Sequence, residues 1–331
     1  MALLVDDPLW PAHGMTWAHL VSDTSLEELH EFARNQGLPP RSFDLDHYDV
    51  PASALDRLVA AGAKHVDRRT LVTRLARSGL RVRRVRREDE RHARRAEELA
   101  TRWARLGSAL ARRSATEDED AAPTDGSSTA AGTDAAWRDL GSDLLERWQE
   151  PHRRYHDLRH LEAVLLDLDE LAADGAEITV AVELAAWFHD AVHEGRTPDD
   201  ERASAELARA ALASPAIDPT GSGDLADEVA RLVLTTAEHD GTDRDAALLG
   251  DADLAILASS PVRYERYARD VRAEYAHVPD EAFASGRSAV LTALTGRGTI
   301  FATPEGRARW EERARHNVAA ELDRLGRRPG T

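Results

Sequence analysis

The chain has 331 residues, a formal net charge of −17 and no cysteine. The lack of cysteine excludes disulfides, thiolate zinc sites and cysteine nucleophiles, and it suits a reducing cytoplasm. Only 5% of the residues are aromatic while Ala and Leu are abundant, which favours helical packing. The start of the chain lacks the basic region of a signal peptide, and no stretch approaches the roughly 20 apolar residues of a membrane span. We therefore expect a cytoplasmic protein with no membrane partner.

Residues 1–80 alternate between strand-like and helix-like segments, which is typical of a small α/β domain. A short apolar run predicts a strand at 2–5, and a second short strand is predicted at 64–66. Capping residues and apolar spacing predict helices that begin after Ser25 and Asp67, and a further helix over 52–61.

Residues 81–113 form an arginine-rich segment that is predicted to be one long basic helix. Between Lys64 and Arg113 there are 17 Lys or Arg residues and 6 Asp or Glu residues. Apolar residues recur every three or four positions from Leu99 to Leu110, so this helix should pack along one face. We favour a salt-bridged helix. The alternative is a nucleic-acid-binding patch, although aromatic residues are not interleaved with the arginines.

Residues 114–134 are small, polar and acidic without apolar periodicity, which predicts a flexible linker. From 135 to 328, apolar positions recur at helical spacing, and Pro or Gly residues interrupt the pattern between segments. No convincing strand pattern occurs there. The sequence therefore predicts an all-α domain over 135–328.

Four short segments of this helical region place His or Asp among apolar neighbours: 155–157, 187–190, 235–239 and 250–254. Polar groups that point into a helical core are costly unless they bind something. A divalent ion would satisfy them together, because imidazole nitrogen and carboxylate oxygen suit Mn, Fe, Co, Ni and Zn. The adjacent pair His189–Asp190 is the most informative, since its flanks AAWF and AV predict a deeply buried helix.

The segments RRYHDLRHL, AAWFHDAVH, DDERASAELA, GDADLAIL, YARDVRAEYAHVPD and GRSAVL resemble the HD superfamily of metal-dependent phosphohydrolases, with its pattern H…HD…D. The resemblance covers most of residues 135–328 and is closest to a bacterial group described as predicted HD phosphohydrolases. It implies an all-α HD domain with one or two divalent ions. The implied metal ligands are His156, His189, Asp190 and Asp251, with His239 as a further histidine for a second metal or a phosphate.

The resemblance also implies the chemistry, which is hydrolysis of a phosphomonoester or phosphodiester by a metal-activated water. The substrate would be a nucleotide or another small phosphate compound. Asp190 can orient the water, and Arg159 can contact a phosphate. The candidates for a proton donor to the leaving group are His193, Glu194, Asp200 and Glu201. His160 is assigned to packing or ligand support and Asp253 to capping.

Three other interpretations of the helical region remain open. The polar residues can be satisfied core groups of an inactive HD domain. The protein can be regulatory or associated with nucleic acid, with the HD domain as a sensor. The same ligands also suit an HD-fold oxygenase with a di-iron site.

The N-terminal region is rich in His and Asp, and two segments, VDDPLWPAHGMTWAHLVSD and DHYDVP, resemble a small bacterial domain family of unassigned function. These residues can form a second metal or nucleotide pocket. They can equally be turn residues beside a tryptophan core. Asp6, Asp7 and His47 are the first residues to test.

Overall fold

A computed structural model describes residues 2–12, 15–82, 87–117, 127–218, 222–239, 241 and 243–326. The chain divides into two compact units, Met1–Arg94 and Arg95–Thr331. The boundary lies inside a long helix rather than in the predicted linker. Residues 118–126 of that linker lie outside the described residues, and both of its ends are helical.

The N-terminal unit contains a mixed sheet, and its described strands are β1 (Leu3–Val5), β2 (Trp10–Ala12), β3 (Met15–Ser22), β4 (Tyr48–Pro51) and β5 (Lys64–His65). Strand β3 pairs antiparallel with β1, β2 and β4, while β5 pairs parallel with β1. The register places His19 of β3 opposite Asp49 of β4. This strand pairing brings polar residues that are distant in sequence to one face of the sheet.

The helices of this unit are α1 (Leu26–Asn35), α2 (Leu55–Ala60) and α3 (Arg68–Arg77). The side chains of Ser25 and Asp67 cap α1 and α3, as their sequence positions predicted. Alternate residues of the sheet enter two apolar clusters, one with Leu20 and Leu29 and the other with Val21 and Leu71. The sheet is therefore covered by helices on both faces, which confirms the predicted α/β class.

Strands β2, β3 and β4 were not predicted from the sequence. Along β3, Ala18 and Leu20 are buried while Trp17 and His19 are half-buried, so the residues do alternate with period two. The alternation is hidden in the sequence because large aromatic and imidazole rings occupy the less buried positions. A continuous apolar run identified β1, two of whose three residues are buried.

The basic segment forms helix α4 (Arg87–Glu117), which packs in the C-terminal unit against α5 (Ser127–Arg147). The indoles of Trp103 and Trp137 stack with their ring centroids 4.3 Å apart, and each indole N–H donates to the other residue's carbonyl oxygen. Gly107 and Gly141 lie against these rings. A Cβ at Gly141 would lie 2.3 Å from Trp103 Cδ1. The apolar face of α4 is thus part of the core.

Several arginines of α4 are held in ion pairs. Arg95 Nε lies 2.6 Å from Glu162 Oε2, and Arg102 Nε lies 2.7 Å from Glu183 Oε1. Arg102 also pairs with Asp169 at 2.6 Å. These contacts favour the salt-bridged interpretation of the helix over a nucleic-acid-binding patch.

The remaining helices are α6 (Leu158–Ala173), α7 (Val180–Phe188), α8 (Asp199–Leu212), α9 (Asp224–Thr235), α10 (Arg244–Leu254), α11 (Pro261–Glu274), α12 (Asp280–Gly296) and α13 (Pro304–Gly326). They surround one continuous apolar core, and the described part of this unit contains no strand. The expected all-helical character is confirmed. Within the described residues, no helix has both the length and the apolar character needed to cross a membrane.

Helix α7 ends at Phe188, directly before the His–Asp pair. His189 is its C-terminal cap, and Asp190 lies in the turn that follows. The guanidinium of Arg153 donates to the carbonyl oxygens of Asp190 and Ala191 at 2.7 and 3.2 Å, so the first turn after the helix is held by a side chain. The His–Asp pair therefore projects from a helix end, not from a helix interior.

Candidate metal centre

Four side chains from separate parts of the helical unit meet at the end of α7. His160 lies in the first turn of α6, His189 and Asp190 end α7, and Asp253 lies near the end of α10. Both histidines are buried, whereas the two carboxylates are partly exposed. The group thus has a buried nitrogen side and a carboxylate side that solvent can reach.

The donor atoms of these side chains are close together. His160 Nε2 lies 3.1 Å from both His189 Nε2 and Asp253 Oδ1, and 3.6 Å from Asp190 Oδ2. His189 Nε2 lies 3.2 Å from Asp190 Oδ2 and 3.7 Å from Asp253 Oδ1. Ligands about 2.1 Å from one ion are separated by roughly 3.0 to 3.4 Å in octahedral or tetrahedral geometry. The spacing therefore fits a single transition-metal ion.

The tautomer of His189 suits metal binding. Its Nδ1 lies 2.9 Å from the carbonyl oxygen of Ala186, which only accepts hydrogen bonds, so Nδ1 carries the proton. In the neutral ring the Nε2 lone pair then points to the other donor atoms. The ring is packed against Trp148, with centroids 5.4 Å apart. A backbone acceptor and an indole together fix the orientation of this imidazole.

The charges of these four side chains favour the binding of a cation. Burial raises the pKa of Asp190, but the charges of His189 and His156 outweigh it and hold the pKa well below its usual range. Burial lowers the pKa of His189, whereas Asp190 and Asp253 raise it to about 9. Burial also lowers the pKa of His160. Two ionised carboxylates in a largely buried site are stabilised by positive charge, from a proton or a metal ion.

Asp253 is held in position by His239. His239 Nε2 lies 2.7 Å from Asp253 Oδ2, while Asp253 Oδ1 faces His160. The two oxygens therefore have different partners, and one remains directed into the donor group. His239, which the sequence offered as a second-metal or phosphate ligand, instead orients this carboxylate.

The structure corrects the assignment of Asp251. Its carboxylate accepts hydrogen bonds from the backbone nitrogens of Ala302 and Thr303 at 2.7 and 2.8 Å, and from the Thr303 hydroxyl at 2.6 Å. Asp251 thus anchors the segment that leads into α13. The expected roles of Asp251 and Asp253 are exchanged, because residues two apart on a helix point in nearly opposite directions.

His156 stands beside the donor group rather than within it. Its Nε2 lies 4.0 Å from Asp190 Oδ2, and its Nδ1 lies 2.7 Å from Glu274 Oε2. The other oxygen of Glu274 accepts from the backbone nitrogens of Arg154, Tyr155 and His156. Burial lowers the pKa of His156, but the charge of Asp190 and the hydrogen bond to Glu274 raise it above its usual value. His156 and Glu274 form an oriented imidazole–carboxylate pair.

His193 lies beside the His156–Glu274 pair. Its ring centroid lies 4.1 Å from that of His156, and its Nε2 lies 3.7 Å from Glu274 Oε2. His156, His193 and Glu274 therefore make a second cluster of possible ligand atoms. The hydrogen bond from His156 Nδ1 to Glu274 fixes the tautomer of this imidazole and leaves its Nε2 for a proton or a ligand.

Arg153 links the two clusters and was not identified from the sequence. Its side chain is fully buried and donates to the carbonyl oxygens of His156, Asp190 and Ala191. One guanidinium thus fixes the backbone on both sides of the site. The signal in the sequence was weak, because Arg153 is one of two adjacent arginines with similar neighbours.

The Arg159 guanidinium forms ion pairs with two carboxylates that are not part of the donor group. Its guanidinium lies 2.9 Å from Asp157 and 3.3 Å from Asp270. These ion pairs occupy the group that was expected to contact a phosphate.

The acidic residues expected to donate a proton also have other partners. Asp200 accepts from the backbone nitrogens of Glu194 and Arg196 at 2.8 Å each, so it stabilises the turn before α8. Glu201 Oε1 accepts from the Thr197 hydroxyl at 2.9 Å. Its Oε2 is buried without a hydrogen-bond partner within the described part of the chain. Asp200 and one oxygen of Glu201 are thus engaged in hydrogen bonds around the start of α8.

The polar residues of the N-terminal unit are divided between two places. Asp7 pairs with His65 at 2.8 Å on the exposed surface. Asp6 and His47 lie on the sheet beside His19 and Asp49. His13 lies outside the described residues.

Residues 3–78 match the family described as "Protein of unknown function (DUF4031)". This supports the expected resemblance of the N-terminal region to a domain family of unassigned function. No curated protein and no solved structure matches the chain.

Proposed function

We propose that the C-terminal unit is a metal-dependent phosphohydrolase of the HD type. The observation that carries the proposal is the convergence of two buried imidazole nitrogens, 3.1 Å apart, each of which lies 3.1 to 3.7 Å from an oxygen of Asp190 and of Asp253. His160, His189, Asp190 and Asp253 would hold the ion. A mixed nitrogen and oxygen set of this kind suits Mn, Fe, Co, Ni or Zn.

The bound ion would lower the pKa of a coordinated water to roughly 7 and polarise a phosphoryl oxygen of the substrate. Asp190 lies on the partly exposed side of the group, where its carboxylate can accept a hydrogen bond from the attacking water and orient it. Because its pKa is held low, this carboxylate is ionised at neutral pH. Its role is positioning, and it needs no change of protonation.

His156 is placed to donate a proton to the leaving oxygen. Glu274 accepts a hydrogen bond from His156 Nδ1, so His156 Nε2 faces Asp190 and the partly exposed side of the site. The imidazole is thereby fixed in one orientation, as general acid catalysis requires. The Arg153 guanidinium donates hydrogen bonds to the carbonyl oxygens of His156 and Asp190 and so holds these two backbone segments together. The chain thus supplies the water-orienting group and the proton donor at one site, with His156 Nε2 4.0 Å from Asp190 Oδ2.

The substrate class that we propose for this chemistry is a phosphomonoester or phosphodiester. The preference for a nucleotide or similar small phosphate compound rests on the resemblance to the HD superfamily alone. The same donor set suits a di-iron oxygenase, which the experiment must separate from hydrolysis.

The test uses the full chain, stripped with a chelator and reloaded with Mn²⁺, Co²⁺ or Fe²⁺. Release of p-nitrophenol from its phosphate monoester and diester, and of phosphate from nucleotides, is measured beside oxygen uptake. We expect metal-dependent hydrolysis that falls to background in Asp190→Asn. Asp199→Asn, an exposed carboxylate on α8 paired with Arg202, is the control. Hydrolysis that is independent of metal and of Asp190, or oxygen uptake without hydrolysis, would contradict the proposal.

A further inference from the structure

A second group of histidine and aspartate side chains lies on the sheet of the N-terminal unit. His19 of β3 is directly opposite Asp49 of β4, and His47 precedes Asp49 by two residues. Side chains directly opposite on paired strands, and two apart on one extended segment, lie on the same face of a sheet. The pairing of β3 with β4 therefore places His19 beside Asp49, and His47 lies immediately before β4.

The ring nitrogens of both histidines face the same carboxylate. Asp49 Oδ1 lies 3.4 Å from His47 Nε2 and 3.9 Å from His19 Nε2. The two imidazoles are in edge-to-face contact, with ring centroids 4.9 Å apart. These three donor atoms all lie within 4.8 Å of one another. A small inward movement of side chains would place them around one ion.

The Nδ1 atom of each imidazole contacts a buried carboxylate. Asp6 Oδ2 lies 3.0 Å from His19 Nδ1, and Asp46 Oδ1 lies 2.7 Å from His47 Nδ1. Asp6 and Asp46 are each only 1% exposed. Metal-ligating histidines typically donate the second ring N–H to a carboxylate, which fixes the tautomer and leaves the other nitrogen for the metal. This arrangement occurs at both His19 and His47, whose Nε2 atoms face Asp49.

The two buried carboxylates are also fixed by the backbone. Asp6 Oδ1 accepts from the His19 backbone nitrogen at 2.6 Å, and Asp46 Oδ2 accepts from the Val82 backbone nitrogen at 2.8 Å. Three carboxylates thus surround two imidazoles, and two of the three are out of contact with solvent. Such a concentration of negative charge is costly unless a cation is bound.

The third carboxylate gives access to the group. The Asp49 side chain is 48% exposed, so the position between the three donors faces solvent. The half-exposed ring of Trp10 stands beside it, edge-to-face with His19 at 5.6 Å. Two histidines and one carboxylate leave coordination positions for water or a small ligand.

We propose that His19, His47 and Asp49 bind a divalent transition-metal ion in the N-terminal unit, with Asp6 and Asp46 as positioning residues for the two imidazoles. The ion belongs to the class that accepts mixed imidazole and carboxylate ligands, which includes Fe²⁺, Mn²⁺, Co²⁺, Ni²⁺ and Zn²⁺. This site is independent of the one in the C-terminal unit and does not rest on the proposed phosphohydrolase activity.

The experiment titrates Co²⁺ into the chelator-stripped full chain and follows binding by calorimetry and by visible absorption. The titration is made in an Asp253→Asn background, in which the C-terminal ligand set is incomplete. We expect one bound ion in that background, and its loss in His47→Gln and Asp49→Asn. His65→Gln removes an exposed histidine of the same unit and should retain the ion.

Asp49→Asn keeps the proposal testable if His47→Gln fails to fold, because Asp49 is half-exposed. In Asp6→Asn we expect the affinity to fall about 10- to 100-fold while one ion still binds at saturation, as for a residue that orients a ligand. Unchanged Co²⁺ binding in folded Asp49→Asn would overturn the proposal. So would the absence of a histidine-dependent ion in the Asp253→Asn background, which would leave protonated histidines as the cations of this group.

Discussion

His160 Nε2 lies 3.1 Å from Asp253 Oδ1, across the contact between helices α6 and α10. Neither residue stood out as a ligand in the sequence, where His156 and Asp251 held those positions. The packing of α6 against α10 brings His160, rather than His156, next to Asp253, rather than Asp251. This relationship defines the site, and the variants below separate the two assignments.

The first prediction compares Asp253→Asn with Asp251→Asn, two carboxylates on the same helix. We expect Asp253→Asn to lose the metal ion of the C-terminal unit, because its Oδ1 faces the two imidazoles. Asp251→Asn should keep the ion and instead destabilise the fold by about 1–3 kcal/mol, since its three hydrogen bonds to Ala302 and Thr303 are weakened. Metal content per folded chain and urea unfolding measure the two effects. Loss of the ion only in Asp251→Asn would restore the assignment made from the sequence.

The second prediction concerns Glu274, which orients His156. In Glu274→Gln we expect kcat for a phosphate ester to fall about 10- to 100-fold, with a smaller change in KM and no loss of metal. The amide cannot replace the carboxylate as the acceptor that favours the protonated imidazole. Glu265→Gln, on the exposed side of the same helix α11, is the control and should have normal kcat. Steady-state kinetics with a metal assay provide the measurement. An equal loss of metal and kcat would show that Glu274 is a ligand instead.

The third prediction tests the crossing of α4 and α5. In Gly141→Ala the new methyl group would lie 2.3 Å from Trp103 Cδ1, so the stacked indoles must separate. We expect a loss of about 1–3 kcal/mol in the free energy of unfolding. Gly132→Ala, on the same helix with no atom within 4 Å of the added Cβ, should gain up to about 1 kcal/mol from helix propensity. Urea unfolding compares both variants with the wild type, and equal stability of the two would argue against this packing.

The fourth prediction is a pH dependence in the N-terminal unit. Burial raises the pKa of Asp23, but the hydrogen bond from the Ala2 backbone nitrogen and the charge of Arg74 outweigh it, so the pKa lies below its usual value of 3.8. A carboxyl whose pKa is lower in the folded state stabilises the fold above the usual value and loses this contribution as the pH falls below it.

Asp23→Asn should therefore be less stable than the wild type at neutral pH, and the difference should shrink as the pH is lowered through 3.8 and below. Glu31→Gln removes an exposed carboxylate of α1 and is the control. Urea unfolding from pH 7 to pH 3, followed by hydrogen exchange of strands β1 and β3, measures the effect. A difference that is constant over this range would show that the charge of Asp23 is not involved.

Much of the fold could be predicted from the sequence because local signals and burial agree. Ser25 and Asp67 cap helices where their side chains were expected to do so, and the helical periodicity of 135–328 corresponds to packed helices. The end of α7 could not be predicted in this way. It depends on Arg153, whose guanidinium reaches carbonyl groups far from it in the sequence.

The residues of the candidate metal centre could likewise be predicted only in part, because some of them meet through contacts between distant parts of the sequence. His189 and Asp190 were recognisable because an ionisable pair follows a fully apolar segment. Their partners were not, since His156 precedes the first turn of α6 while His160 lies within it. The sequence indicated a possible second metal pocket in the N-terminal region but not how its members meet, because β3 and β4 bring His19 and Asp49 together only after they pair.

By itself the sequence determined the two classes of architecture, the caps, the apolar faces and the His–Asp pair at the centre of the helical unit. These features depend on residues that are neighbours along the chain or one helical turn apart. Only the tertiary structure decided that Asp253 and not Asp251 faces His160, and that Asp251 instead holds the segment before α13. The direction of a side chain on a buried helix is set by which neighbouring element packs on each side, and that information lies in contacts between distant parts of the chain.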